Sequence, residues 1–154
     1  MAGPLYRSAI QFKQGSPVPT KTDPLSDADY AALAAFRYAI RRFQAFSEHA
    51  AAAAGLTPQQ HQALLAIRAC DAREATVGHV AERLIVKPHS ATGVVDRLEA
   101  LGLVERMPAM RDKRRTLLRL TPRAFALLDS LSAAHRDEIR RIAPAMTEIL
   151  AKLG

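Results

Sequence analysis

Residues 77–120 run VGHVAERLIVKPHSATGVVDRLEALGLVERMPAMRDKRRTLLRL, and their spacing predicts two short helices followed by a basic β-hairpin. Thr76 can cap the first helix, on which Val77, Val80, Ala81 and Leu84 share one apolar face. A four-residue bridge, Ile85 to Pro88, ends it. The fixed φ of Pro88 suits a first helical position, and Ala91, Val94, Val95, Leu98 and Leu101 then recur at helical spacing until Gly102 closes the helix.

The polar side of the second helix carries the functional signal. Lys87, His89, Ser90 and Thr92 crowd its first turn opposite the apolar face, and Asp96, Arg97 and Glu99 follow. A helix whose exposed first turn offers hydroxyls and cationic donors can enter a major groove, with base edges at that turn and phosphates around it. Most polar helix faces are merely solvated, so what comes next decides the weighting. Leu103 to Arg106 and Thr116 to Leu120 read as two short strands, and Met107 to Arg115 between them is too polar and proline-broken for helix. The result is a hairpin with a cationic tip: Arg106, Arg111, Lys113, Arg114, Arg115 and Arg119 stand against Glu105 and Asp112. An arginine on such a projection can enter a minor groove, where it reads width rather than base identity. Helix, turn, helix and basic wing in succession is far more specific than either half.

The runs Val80-Ala-Glu-Arg-Leu84, Lys87-Pro-His-Ser-Ala91, Val95-Asp-Arg-Leu-Glu99, Leu101-Gly-Leu-Val-Glu-Arg106, Asp112-Lys-Arg114 and Leu120-Thr121 resemble the MarR family of winged-helix transcriptional regulators. The likeness extends from about Tyr30 to the C-terminus. It implies a two-fold dimer on double-stranded DNA, each second helix in a major groove and each wing in the flanking minor groove. Carried over residue by residue, it implies Arg114 as the minor-groove residue and Asp112 as the carboxylate orienting its wing. Lys87, His89, Ser90, Thr92, Arg97, Arg111, Lys113 and Arg115 are the further candidates for DNA contact. Gly93 departs from the pattern, where members often carry a longer polar residue, and it removes any base contact from that position.

Composition bounds the answer independently. A chain of 154 residues is one domain by length, and a net charge of +7, clustered at the hairpin, favours a polyanionic partner. The single cysteine excludes an internal disulfide and fits a reducing cytosol. No apolar run approaches the roughly 20 residues that span a bilayer, and the first residues lack a signal-peptide core, so a cytoplasmic protein without membrane contact is expected. The absence of Trp argues against a single-strand stacking platform.

Outward from the central stretch, the expected fold is mainly α with a small β-wing: a winged helix-turn-helix (56–121) flanked by long dimerisation helices (25–55 and 122–154). Together these make one MarR-like domain over 25–154. Residues 1–24, broken by Pro4, Pro17, Pro19, Pro24 and Gly15, read as an N-terminal arm, either without fixed structure or laid over a partner subunit. Ser26 with Asp27 and Asp29 caps a helix running to Ala54, whose apolar set of Tyr30, Leu33, Phe36, Ile40, Phe43, Phe46 and Ala50 is wider than one stripe and so predicts two buried faces. Leu56, Thr57, Pro58 and Gln60 start the next helix, which carries Leu64, Leu65 and Ile67 up to Cys70. Thr121 and Pro122 start the last, and Pro144 is expected to kink or split it. Its Ile139, Ile142, Met146, Ile149, Leu150 and Leu153 lie too far beyond the wing for one chain to cover, which predicts that terminal helices of two copies pack together.

Other residues carry less. Cys70 reads first as a small buried hydrophobe; a redox-sensing regulator acting through it is the alternative, although peroxide-sensing members of the resembled family keep their cysteine in the first long helix. The five histidines lack metal-site spacing, so no metal or cofactor is expected. His61 has the best chance of facing a pocket. By the resemblance, a small-molecule effector would bind near the junction of the first two helices and the last, with Phe36, Arg37, Phe43 and His61 as candidates. No nucleophile–base constellation or phosphate loop points to an enzyme. The expected function is a ligand-responsive repressor, a homodimer on a pseudo-palindromic operator; a basic protein-interaction module that ignores DNA is the rival.

Overall fold

Four of the five helices among the described residues open on a hydroxyl. In this computed structural model, which describes residues 24–109 and 116–153, Ser26, Thr57, Thr76 and Thr121 each accept a backbone N–H three residues on, all at 3.2 Å. These caps start α1 (Asp27–Ala53), α2 (Pro58–Ala69), α3 (Val77–Leu84) and α5 (Pro122–Ala151). Asp29 and Gln60 return a bond to the cap residue's own N–H and complete capping boxes on α1 and α2. The Ser26 hydroxyl also donates to Asp29, which holds that carboxyl below its ordinary pKa. The remaining helix, α4 (Pro88–Ala100), follows Lys87 and has no side-chain cap. Gly55 and Gly102, at φ +75° and +68°, turn the chain after α1 and α4 in the left-handed region that suits glycine.

Two strands, β1 (Val104–Pro108) and β2 (Thr116–Leu120), pair antiparallel with Val104 opposite Leu120 and Pro108 opposite Thr116. The first begins one residue later and ends two residues later than its composition suggests. Leu103 is lost to the ladder because its N–H closes the end of α4 on the Leu98 carbonyl at 2.9 Å while its side chain is buried. Pro108 is admitted because a two-stranded sheet has only edge strands. Residues 71–75, which link α2 to the start of α3, also reach the hairpin, since Leu118 N–H donates to the Ala75 carbonyl at 2.7 Å.

The core lies between α2, α3, α4, the hairpin root and the start of α5, where Leu64, Val80, Val95, Leu98, Val104 and Leu118 are buried. Thr121 and Arg123 bind the Gly102 and Leu101 carbonyls at 2.8 and 2.9 Å, fastening α5 to the end of α4. Leu101 itself, expected on the apolar face, is the C-cap residue of α4 and 38% exposed. The bridge between α3 and α4 is three residues, Ile85 to Lys87, with Pro88 already helical; Ile85 is left-handed at φ 54° and 74% exposed.

Long helices α1 and α5 pack on each other but bury little: Ala32 and Ala51 on α1, and on α5 Ala124, Leu128, Leu131 and His135, all before its last four turns. Tyr30, Leu33, Ile40, Ile139, Leu150 and Leu153 remain exposed. The second buried face predicted for α1 is therefore not supplied by this chain. Nor does Pro144 split α5, which runs unbroken through it; the proline removes one N–H from the ladder, and the turns on either side keep theirs. No helix among the described residues is long and apolar enough to cross a membrane. The expected arm falls, but for Pro24, outside the described residues.

Candidate nucleic-acid interface

Because Ala91, Val94, Val95 and Leu98 turn α4 into the core, Lys87, His89, Ser90, Thr92, Asp96, Arg97 and Glu99 are left on its solvent side, all exposed. The Thr92 hydroxyl donates back to the Pro88 carbonyl at 3.0 Å, which uses its one proton and leaves the oxygen able only to accept. The Arg97 guanidinium lies back along the helix, 3.9 Å from where a Cβ on Gly93 would stand, so the gap left by that glycine is edged by a cation. Apart from its chain neighbours and its own helix backbone, nothing else among the described residues comes within 4 Å of that point. The uncapped start of α4 leaves first-turn N–H groups, the positive end of the helix dipole, beside Lys87.

The hairpin stands next to this face, but its first arginine does not belong to the cationic tip. Arg106 turns back onto α4, where its guanidinium binds Asp96 at 2.5 Å and also Glu99. The hydrogen bond to Asp96, and then the charges of both carboxylates, hold its pKa above the ordinary value. Arg119, on the other strand, is exposed and directs one nitrogen to the Met107 sulfur at 3.5 Å. Arg111, Asp112, Lys113, Arg114 and Arg115 lie outside the described residues. Asp96 and Glu99 are the participants that reading the sequence underrated; only the docking of β1 against α4 reveals their shared partner.

Away from this face, α1, α2 and α5 meet at a pair of histidines. His61 is 1% exposed and neither ring nitrogen has a hydrogen-bond partner among the described residues. His135 lies 4.7 Å from it, ring centre to ring centre, with Phe43 and Phe46 edge-on at 6.1 and 5.4 Å. The valences of His135 are filled: Nδ1–H donates to the Leu131 carbonyl at 2.7 Å, so Nε2 accepts from the Ser47 hydroxyl at 2.9 Å. Burial, and next the neighbouring His135, lowers the His61 pKa to about 4. Of the four effector candidates, Phe43 and His61 thus meet around His135, whereas Phe36 is half-buried, Arg37 is exposed, and neither takes part in these ring contacts. His135, Phe46 and Ser47 carried no sequence signal of this role. No group of three or more metal-ligating side chains occurs among the described residues. Cys70, half-buried at the end of α2, lines a separate groove of about 290 Å³ under the hairpin root, where Arg68 lies 5.1 Å over the Phe125 ring.

Residues 54–115 match the sequence model of the MarR family. No curated protein is significantly similar in sequence. Among solved structures, a variant of S. aureus MepR bound to an oligodeoxyribonucleotide superposes with a TM-score of 0.63 at 18% identity, over 81% of this chain and 98% of that one. CouR from Rhodococcus jostii RHA1, bound to p-coumaroyl-CoA, gives 0.66 at 22% identity, over 81% and 93%. A probable transcriptional regulator from Pseudomonas aeruginosa gives 0.58 at 28% identity, over 77% and 92%. The capped helix pair, the hairpin beside it and the family match over residues 54–115 give this chain a winged-helix fold similar to that of the MarR family of transcriptional regulators.

Proposed function

We propose that the chain is a sequence-specific double-stranded DNA-binding transcriptional regulator rather than an enzyme, acting as a homodimer on a pseudo-palindromic operator. The observation that carries this is the outward face of α4, where Lys87, His89, Ser90, Thr92 and Arg97 stand exposed around an uncapped helix start with the hairpin alongside. A helix so presented fits a major groove, and the basic run Arg111 to Arg115 joining the two strands would supply phosphate and minor-groove contacts. Phosphate neutralisation then provides most of the affinity, which falls steeply with salt. The oligonucleotide bound by the MepR variant supports this reading.

Dimerisation is inferred from the apolar side chains that α1 and α5 leave exposed, Tyr30, Leu33, Ile40, Ile139 and Leu150 among them. A second copy covering them would relate two copies of α4 by a two-fold axis, matching half-sites about one helical turn apart. The junction of α1, α2 and α5 is the place for a small-molecule effector, with Phe43 and His61 at it; the acyl-CoA bound by CouR supports ligand response in this fold. Repression relieved by that effector is the mode of regulation proposed. Selection of bound duplexes from a random pool, with sedimentation of the free protein, tests the reading. A shared two-fold motif and a dimer are expected; a monomer indifferent to duplex DNA at low salt refutes it.

A further inference from the structure

The outward face of α4 carries no net charge of its own: Lys87 and Arg97 are matched by Asp96 and Glu99. Such a face is a poor approach to a polyanion, because exposed carboxylates within a Debye length of phosphates, about 8 Å at physiological salt, repel them. Asp96 is also central to that face, two turns beyond His89 and opposite the buried stripe of Ala91, Val94, Val95 and Leu98. The side chains of Asp96 and Glu99 are 57% and 42% exposed.

Among the described residues, the cation paired with both is Arg106. It stands on β1 opposite Leu118, in another element, and its side chain is 26% exposed. One guanidinium nitrogen binds Asp96 Oδ1 and the other binds Glu99 Oε2. Two carboxylates three residues apart on a helix present two oxygens to one side, which suits the planar fork of arginine and not the single point charge of lysine. Ion pairs this exposed contribute little to fold stability. The geometry therefore makes more sense as control of the surface potential than as a staple.

Resting on the DNA-binding reading above, we propose that Arg106 is a positioning residue of the interface that neutralises Asp96 and Glu99, so that α4 meets DNA with a net positive face, and that Arg106 itself does not contact DNA. Removing it would do more than subtract one positive charge, because two carboxylates would be left facing phosphates.

The test is binding of wild type, Arg106→Ala and the triple variant Arg106→Ala/Asp96→Asn/Glu99→Gln to labelled random-sequence duplex, followed by fluorescence anisotropy. At about 0.1 M salt, Arg106→Ala is expected to bind roughly tenfold more weakly or worse, and the triple variant to return to within about threefold of wild type. An Arg106→Ala variant that binds like wild type overturns the proposal. So does a triple variant as weak as Arg106→Ala, since Arg106 would then be a phosphate ligand or a mechanical brace. Should Arg106→Ala fail to fold, the triple variant, with no carboxylate left unpaired, is compared with wild type alone and the same threshold decides. Wild type that ignores duplex altogether is a different failure, of the DNA-binding reading itself.

Discussion

The imidazoles of His61 and His135 lie with ring centres 4.7 Å apart; among the described residues both nitrogens of His61 are unpartnered, whereas both of His135 are engaged. His61 is held neutral down to about pH 4, whereas in an unfolded chain it takes up a proton near the ordinary imidazole value of 6.5. Between those values the unfolded state binds more protons, so stability is full above pH 6.5 and is lost as pH falls toward 4. The difference amounts to at most about 3 kcal/mol. Thermal unfolding from pH 4 to 8 should show this slope, and His61→Leu should flatten it; an unchanged slope in that variant would assign the acid sensitivity to other groups.

Gly93 sits within α4 although, among the described residues, only the far end of the Arg97 side chain approaches the place a Cβ would take, at an ordinary 3.9 Å. Gly93→Ala should raise fold stability by about 0.5–1 kcal/mol through helix propensity. On the DNA-binding reading proposed above, the same change should weaken operator binding, because the open space lies on the outward side of α4. A variant more stable and equally tight would remove Gly93 from the interface.

Ile85 adopts φ 54° while 74% exposed, a conformation that β-branched residues avoid, and gains little burial in return. Replacement by glycine should stabilise the fold by about 1 kcal/mol. A lower midpoint in denaturant would mean that Ile85 makes a contact worth more than its backbone strain.

Arg114→Ala should cost about 1–3 kcal/mol of operator affinity by analogy with arginines that read groove shape, and leave the oligomeric state unchanged. Equal mobility shifts for variant and wild type would count against the wing assignment.

Truncation after Pro144 removes Met146, Ile149, Leu150 and Leu153 from the end of α5. If these cover a partner, sedimentation should show the dimer dissociating at lower dilution than wild type. An unaltered dimer would place the interface elsewhere.

Helix boundaries were legible in the chain because caps, first-turn prolines and closing glycines act within four residues: Ser26 with Asp29, Thr57 with Gln60, and Thr121 with Pro122 appear where their spacing puts them. The face α4 buries was legible for the same reason, as Ala91, Val94, Val95 and Leu98 repeat at helical period. Tertiary structure alone decided which charges are free and which are spent. Arg106 counts as one more wing cation until β1 docks against α4 and brings it to Asp96 and Glu99, and His135 is unremarkable until α5 crosses α2 and sets it against His61. A periodic pattern records what one element will bury, but the Coulombic and desolvation energies of a side chain depend on distances to residues far along the chain, and those exist only once the elements have packed.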